Sequence, residues 1–429
     1  MTLPSGWKQG QLGELCSIEI GGTPSRGVAA YWDPAHDTSN VWVSIRDMRQ
    51  RLITGSAEQI SDLGVKKSNV KLQQPGTVLL SFKLSIGRVA IAGVPLFTNE
   101  AIAGLSSAGL TREFLFQGLQ GWDLLEGVDQ AIKGATLNKQ KLKKITFEYP
   151  EAEREQSKIA EVLSTVDRVI EQTEALIAKH QRIKTGLMQD LLTRGIDQDG
   201  NLRSECTHEF KDSPLGRIPV GWDIASLGSV AEFVTSGARG WAKYYREDGA
   251  LFIRIGNLTR EHINLRLDDL VFVRPPESTE GMRTAVQSGD LLISVTADLG
   301  IIGVIPKGIV EGYVNQHIAL ARLRPAEVSA RFVGWFLSSQ EGKAQFDRLN
   351  ESGAKAGLNL PTVRSLLLPK PDIDEQHRVA VAVDACVRTV DQHACSLRKL
   401  RSLKLGLMQD LLTGNRRVTA LLEPGGVAT

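Results

Sequence analysis

An α/β tandem is predicted: two mixed α/β units, each followed by a long helix. The two helices pair antiparallel as a coiled coil, so that the halves share an internal pseudo-two-fold axis. Three observations carry this prediction. The phrase Gly-Leu-Met-Gln-Asp-Leu-Leu-Thr runs from Gly186 to Thr193 and recurs letter for letter from Gly406 to Thr413, 220 residues on (406 − 186). Apolar residues ahead of each copy recur at alternating three- and four-residue steps, the period of one helix face. Between these stretches lie short β-type runs, punctuated by glycine, at matched places in the two halves.

In the first helix the apolar stripe is Ile159, Val162, Val166, Val169, Leu176, Ile183 and Leu187, widened by Leu163, Ile170 and Ile177. In the second it is Val379, Val383, Cys386, Val390, Leu397, Leu400 and Leu407. Both first turns are acidic (Glu151/Glu153 and Asp372/Asp374), which suits the positive end of a helix dipole, and both helices stop near a glycine, Gly195 or Gly414. About 38 residues at about 1.5 Å each make a rod about 57 Å long. One such rod cannot bury its stripe alone; two in one chain bury theirs against each other.

The same offset carries Glu155-Gln156 onto Glu375-Gln376 and Ala160 onto Ala380. Packing gives no reason for Gln189/Gln409 and Asp190/Asp410 to match. A glycine costs about 1 kcal/mol in a helix interior, so the recurrence of Gly186 and Gly406 points to close approach by another backbone. Gly186, Met188, Gln189 and Asp190, with Gly406, Met408, Gln409 and Asp410, are therefore the candidate surface for a partner that binds twice.

The tandem extends beyond the helices. Pro4-Ser5-Gly6-Trp7 answers Pro219-Val220-Gly221-Trp222, Leu12-Gly13 answers Leu227-Gly228, and Asn99 answers Asn315. Gly76, Ser81 and Gly87 answer Gly289, Ser294 and Gly300. Strands are expected at Val41 to Ile45, Thr77 to Phe82, Val89 to Ala92, Leu251 to Ile255, Asp290 to Val295 and Ile301 to Ile305, on a curved sheet. Helices near Glu113 to Leu125 and Ala330 to Leu349 close the units. The expected boundaries are a first unit over 1–150, a helix over 151–195, an exposed polar linker over 196–215, a second unit over 216–370, a helix over 371–415 and a loose tail over 416–429.

Length allows two or three domains. With 51 Lys+Arg against 49 Asp+Glu the net charge is +2, so a DNA-binding surface must come from local segregation of charge. Cys16, Cys206, Cys386 and Cys395 lack metal spacing and read as reduced intracellular thiols. No signal-like or membrane-length apolar run is present, and a soluble, cytoplasmic protein without membrane contact is expected. Phosphate-binding glycine loops, His-Glu-x-x-His, the Gly-x-Ser-x-Gly elbow and an Asp/Asn-Pro-Pro-aromatic methyltransferase loop are all lacking; Pro275-Pro276 is followed by Glu277. The chain reads as non-catalytic, with no metal site.

What the units do hold is basic and aromatic side chains at matched places. Arg26 and Tyr31 flank one glycine-rich loop; Arg239, Trp241, Lys243 and Tyr244 flank its counterpart. Arg46 and Arg254 stand beside the first strand of each unit, and the Lys83 to Arg88 turn answers Thr296 to Gly300. Lys133, Lys139, Lys141, Lys143 and Lys144 lead into the first helix. Arginine can grip guanine edges or phosphates with its planar fork, and lysine neutralises phosphates. These residues are the candidate DNA contacts.

With its duplicated Glu-Gln…Gly-Leu-Met-Gln-Asp-Leu-Leu-Thr helices, Pro-x-Gly-Trp openings and two unlike units, the chain resembles the specificity subunit of a type I restriction-modification system. The phrase Pro214-Leu215-Gly216-Arg217-Ile218-Pro219-Val220-Gly221-Trp222 is among its most specific parts. The resemblance implies two target-recognition domains, each reading one half of a split site on double-stranded DNA. It implies helices that space those domains and dock two methyltransferase (modification) subunits, joined in restricting assemblies by two restriction/translocase subunits. It implies no cofactor on this chain, with S-adenosylmethionine, ATP and Mg2+ in the partner subunits. The other reading of the residues is a coiled-coil scaffold that binds protein partners without DNA specificity.

Overall fold

A computed structural model describes residues 3–83, 85–122, 124, 137–275, 279–351 and 357–422. The chain packs as two compact units: Met1–Glu174 with Cys395–Thr429, and Ala175–Ala394. Each unit thus takes part of both long helices, so the compact bodies do not follow the sequential division.

The first unit is centred on a five-stranded sheet in the order Ser17–Ile20, Ile102–Ser106, Val78–Ser81, Val89–Ala92, Leu52–Ile53. Its central strands are buried on both faces, as their near-continuous apolar sequence requires. Alternation sorts the side chains: Val78 and Leu80 enter one core with Phe114, Leu119, Ile159, Leu163 and Met408, while Leu79 enters another with Val43 and Ile102. A four-stranded sheet (Glu58–Gln59, Val41–Val43, Leu96–Thr98, Leu72–Gln73) lies beyond it in the chain's topology, and Trp7–Gln11 pairs with Thr146–Pro150. The helix Arg112–Gly121 ends earlier than expected; Leu125 and Lys133 lie outside the described residues.

The second unit repeats the plan with four-stranded sheets. One runs Ala231–Ser236, Ile318–Leu323, Leu291–Ser294, Ile302–Val304; the other runs Tyr245–Arg246, Phe272–Val273, Ala250–Ile253, Gly312–Val314. Leu291 and Ile293 again face one core, with Leu292 in another. The single closing helix expected here is two, Ala330–Ser338 and Gln340–Glu351. In place of the one curved sheet expected per unit, the described residues of each form two main sheets together with two-stranded ribbons: one in the first unit and two in the second.

The long helices span Glu153–Thr193 (41 residues) and Ile373–Leu411 (39 residues). Inside the first unit Lys404 pairs with Asp167 at 2.6 Å and Arg401 with Glu174 at 2.7 Å. Going forward along one helix, the partner residues run backward, so the segments are antiparallel there. Inside the second unit His180 stacks on His393 with ring centroids 5.2 Å apart, and Met188 shares a core with Val383. Val169, Leu176 and Ile183, expected in the buried stripe, are 40%, 41% and 46% exposed. The covered face is one step round the helix: Ile159, Leu163, Val166, Ile170, Thr173, Ile177, His180 and Lys184, matched by Val379, Val383, Cys386, Val390, His393, Leu397, Leu400 and Lys404. Both sets keep the four-three alternation of a heptad, with polar residues along part of their length.

The repeated Glu-Gln pair anchors each helix start. Gln156 accepts from Thr111 N at 2.7 Å and donates to Gly109 O and Pro150 O, both at 3.0 Å. Gln376 does the same with Ser329 N, Glu327 O and Pro371 O at 2.8, 3.3 and 2.9 Å. Each glutamine so ties its helix to the residue that precedes the helix closing the unit. The glutamates hold the segment just C-terminal to the opposite helix. Glu155 accepts Arg417 Nε at 2.5 Å and Nη2 at 2.7 Å, plus Trp7 Nε1 at 3.4 Å; Glu375 accepts Arg203, Ile196 N at 2.9 Å and Trp222 Nε1 at 3.2 Å. The linker and the start of the tail, expected to be exposed and loose, are therefore docked: Ile196 and Val418 are 9% and 3% exposed.

Candidate nucleic-acid interface

The loops that carry the candidate DNA contacts are held on a hydrogen-bonded frame built twice. In the first unit Gly21 N donates to Ile102 O (3.2 Å), Gly22 N to Thr98 O (2.8 Å), Asn99 N to Val43 O (3.0 Å) and Phe82 N to Ala101 O (3.0 Å). In the second unit Gly237 N donates to Ile318 O (3.0 Å), Ala238 N to Val314 O (2.8 Å), Asn315 N to Ile253 O (3.0 Å) and Val295 N to His317 O (2.9 Å). A Cβ at Gly21 or Gly237 would lie 2.1 Å or 1.9 Å from a carbonyl oxygen, so only glycine permits the crossing. The neighbouring hairpins also match: Ser81 Oγ accepts Arg88 N at 2.9 Å, and Ser294 Oγ accepts Ile301 N at 2.7 Å.

On the first frame Arg26 lies 3.7 Å over the Trp32 ring and makes a two-pronged ion pair with Glu58. That pair raises the Arg26 pKa and lowers that of Glu58. Both groups are exposed, so solvent screens the attraction. Arg46 and Arg88 are exposed, and Arg88 Nη1 donates to Ile45 O at 3.1 Å. Lys83 sits half-buried beside Phe82, and Tyr31 is half-buried with its carbonyl accepting from Ser61 N. Glu100, which no sequence pattern singled out, stands exposed among these cations. The Thr23 hydroxyl donates to it and is the main cause of its lowered pKa, aided by the charges of Lys83 and Arg26 against partial desolvation.

On the second frame Arg239 and Lys243 are exposed, with Lys243 Nζ 4.9 Å from the Tyr244 ring centre. Trp241 is a correction: it is 4% exposed, packed in a core with Ala238, Ala250, Phe252 and Val273, and stacks on Phe252. Its indole supports the loop from beneath and offers no face to DNA. Arg254 donates to Asp269 at 2.9 Å, and its backbone N to Asn257 Oδ1 as Ser44 N does to Asp47, so its counterpart is Ser44 and not Arg46. By hydrogen-bonded position Arg239 likewise matches Thr23, each coming next after the residue that bonds to Thr98 or Val314. Thr296 is half-buried and bonded to His317 Nδ1 at 2.6 Å. Gln316 and His317 were missed; the only signal was the matched Asn99/Asn315 before them.

From its glycine to its second leucine the repeated helical phrase has the same burial in both copies, and only the closing threonine differs, half-buried at Thr193 and exposed at Thr413. Met188 and Met408 are 9% and 6% exposed and fill their units' cores, so they drop out of the candidate docking surface. With a Cβ added, Gly186 and Gly406 would meet nothing within 4 Å outside their own helix turns among the described residues, so the close approach expected there is not made within the described chain. With Gln189 and Gln409 they face outward, while Asp190 and Asp410 are half-buried at the edge, Asp190 pairing with Arg194 at 3.5 Å. Gly186→Ala and Gly406→Ala should therefore each add up to about 1 kcal/mol of stability through helix propensity, read as a higher denaturation midpoint. No change, or a loss, would mean that these positions are packed after all. Among the described residues no helix is long and apolar enough to cross a membrane.

Residues 4–180, which include the first of the two frames, match the family described as type I restriction modification DNA specificity domain. The chain is 26% identical over 60% of its length to the type I restriction enzyme MjaIX specificity subunit of Methanocaldococcus jannaschii, covering 59% of that protein. It is 23% identical over 63% of its length to the Escherichia coli EcoBI specificity subunit, covering 61% of it. These alignments span about three fifths of the curated relatives' length. The fold is similar to the type I system S subunit of M. genitalium, with TM-score 0.60, 15% identity and coverage of 96% and 98% of the two chains. A chain from work on complex assembly and conformational transition of the type I R-M system gives TM-score 0.56 at 17% identity, covering 97% and 100%. The chain is thus similar, over about three fifths of its length, to type I restriction enzyme specificity subunits, and residues 4–180 carry the match to the DNA specificity domain.

Proposed function

We propose that this chain is the non-catalytic DNA sequence-specificity subunit of a type I restriction-modification complex. Each unit reads one half of an asymmetric, bipartite site in double-stranded DNA. The observation that carries this reading is one loop frame built twice from the same backbone bonds and carrying different side chains each time, as two unlike half-sites require. The long helices act as a coiled-coil spacer with approximate two-fold symmetry, matching the two-fold relation between duplex strands. The outward Gly-Gln surfaces near their ends dock two methyltransferase subunits, and two restriction/translocase subunits join in restricting assemblies. S-adenosylmethionine, ATP and Mg2+ belong to those partners, and the assembly works in the cytoplasm.

Selection from a randomised duplex pool by the purified complex with its methyltransferase tests the reading. One asymmetric split motif with a non-specific spacer should be enriched. A complex that forms but enriches no motif would replace the DNA reader with a protein-binding scaffold.

A further inference from the structure

The two frames place one residue at the same point with opposite chemistry. Asn99 Oδ1 accepts from Ala101 N at 3.1 Å and Asn315 Oδ1 from His317 N at 3.2 Å, and each Asn carbonyl accepts from the Ile three residues on, Ile102 at 3.2 Å and Ile318 at 3.1 Å. The residue carried at the tip of this turn is Glu100 in the first unit and Gln316 in the second, and both are exposed. Thr23 donates to Glu100, and the charges of Lys83 and Arg26 act on it; His317 adjoins Gln316 and bonds to Thr296. By frame position Thr23 and Lys83 match Arg239 and Thr296.

We propose that Glu100 and Gln316 are equivalent base-reading residues, Glu100 accepting from a cytosine amine and Gln316 pairing with an adenine edge. This rests on the proposed DNA-reading function. The Thr23 hydroxyl donates to Glu100 Oε2, and the ionised carboxylate, with about four lone-pair sites, keeps room to accept further donors. An acceptor-only group at a base edge suits the N4 amine of cytosine. In the second unit Gln316 Nε2 lies 3.3 Å from His317 Nε2, and His317 Nδ1 is 2.6 Å from Thr296 Oγ1. That chain uses one amide hydrogen and holds the side chain in place. The Gln316 carbonyl oxygen and second N–H remain, the pair that meets adenine N6 and N7. Lys83 and Arg26, whose charges reach Glu100, are cations suited to phosphates. The frame thus fixes where a base is read, and the residue at its tip fixes which base.

The test is competition binding by the full chain in complex with its methyltransferase, using duplexes carrying each single base-pair change in the selected motif. Glu100→Gln should shift preference at one base pair of one half-site from cytosine toward adenine by about tenfold or more in relative affinity. Gln316→Glu should make the reverse shift in the other half-site. Should Glu100→Gln bind nothing, Glu100→Asp keeps the acceptor and should weaken binding while still preferring cytosine. Unchanged preference at every position, equal loss at both half-sites, or a changed base choice in Glu100→Asp would overturn the assignment. Absence of any motif with the unsubstituted chain would instead count against the DNA-reading function itself.

Discussion

Glu375→Ala should lower the melting transition of the second unit by roughly 10 °C and leave that of the first unit in place. The carboxylate is 1% exposed and receives Arg203, Ile196 N and Trp222 Nε1. Alanine would strand a guanidinium that is 16% exposed in its side chain, together with two other donors. Breaking a buried pair from one side costs about 3–5 kcal/mol. The low end applies because Arg203 keeps some water contact, and each kcal/mol moves the midpoint of a unit this size by about 2–4 °C. Glu155→Ala should do the converse through Arg417, with a smaller shift because that guanidinium is 30% exposed. Scanning calorimetry reads both transitions. Equal shifts in both units from either variant would show that the anchors do not serve their own units.

Deleting residues 171–177 and 391–397 together should change the recognised spacer and leave both half-sites intact. The two segments are equivalent by the 220-residue repeat (391 − 171), and each removes one heptad, so the four-three alternation is rejoined in register. Seven residues are about 10.5 Å of helix, close to three base pairs at about 3.4 Å each. Selection of bound DNA by the shortened chain with its methyltransferase should return the same half-sites about three pairs closer. The same half-sites at the old spacing would remove the spacer role, and altered half-sites would show that the helices shape base reading.

The long helices were legible because their apolar period persists over many turns and the terminal phrase repeats. Their buried face was not. Val162/Leu163, Val169/Ile170 and Leu176/Ile177 are adjacent apolar pairs, and either member satisfies the pattern. Packing takes the second of each pair and brings Thr173, His180 and Lys184 onto the covered side. Lys184 is so placed that burial lowers its pKa, while its amine donates to Glu261 O at 2.5 Å. Glu155 and Glu375 were visible only as repeated letters, since their partners lie far along the chain. Met188, Met408 and Trp241 misled for a related reason. A repeated or loop-borne aromatic or thioether side chain can serve the core as readily as a partner, and burial alone decides. Glu100 and Gln316 were hidden because they differ, and a search for repeats reads difference as noise.

Whether this chain chooses the DNA sequence is decided by a map of methylated adenine in cells expressing the cognate methyltransferase with and without it. Modification should be confined to one asymmetric split motif and be present only when the chain is expressed. Methylation at the same sites without the chain, or at no defined motif with it, would contradict its role as the reader.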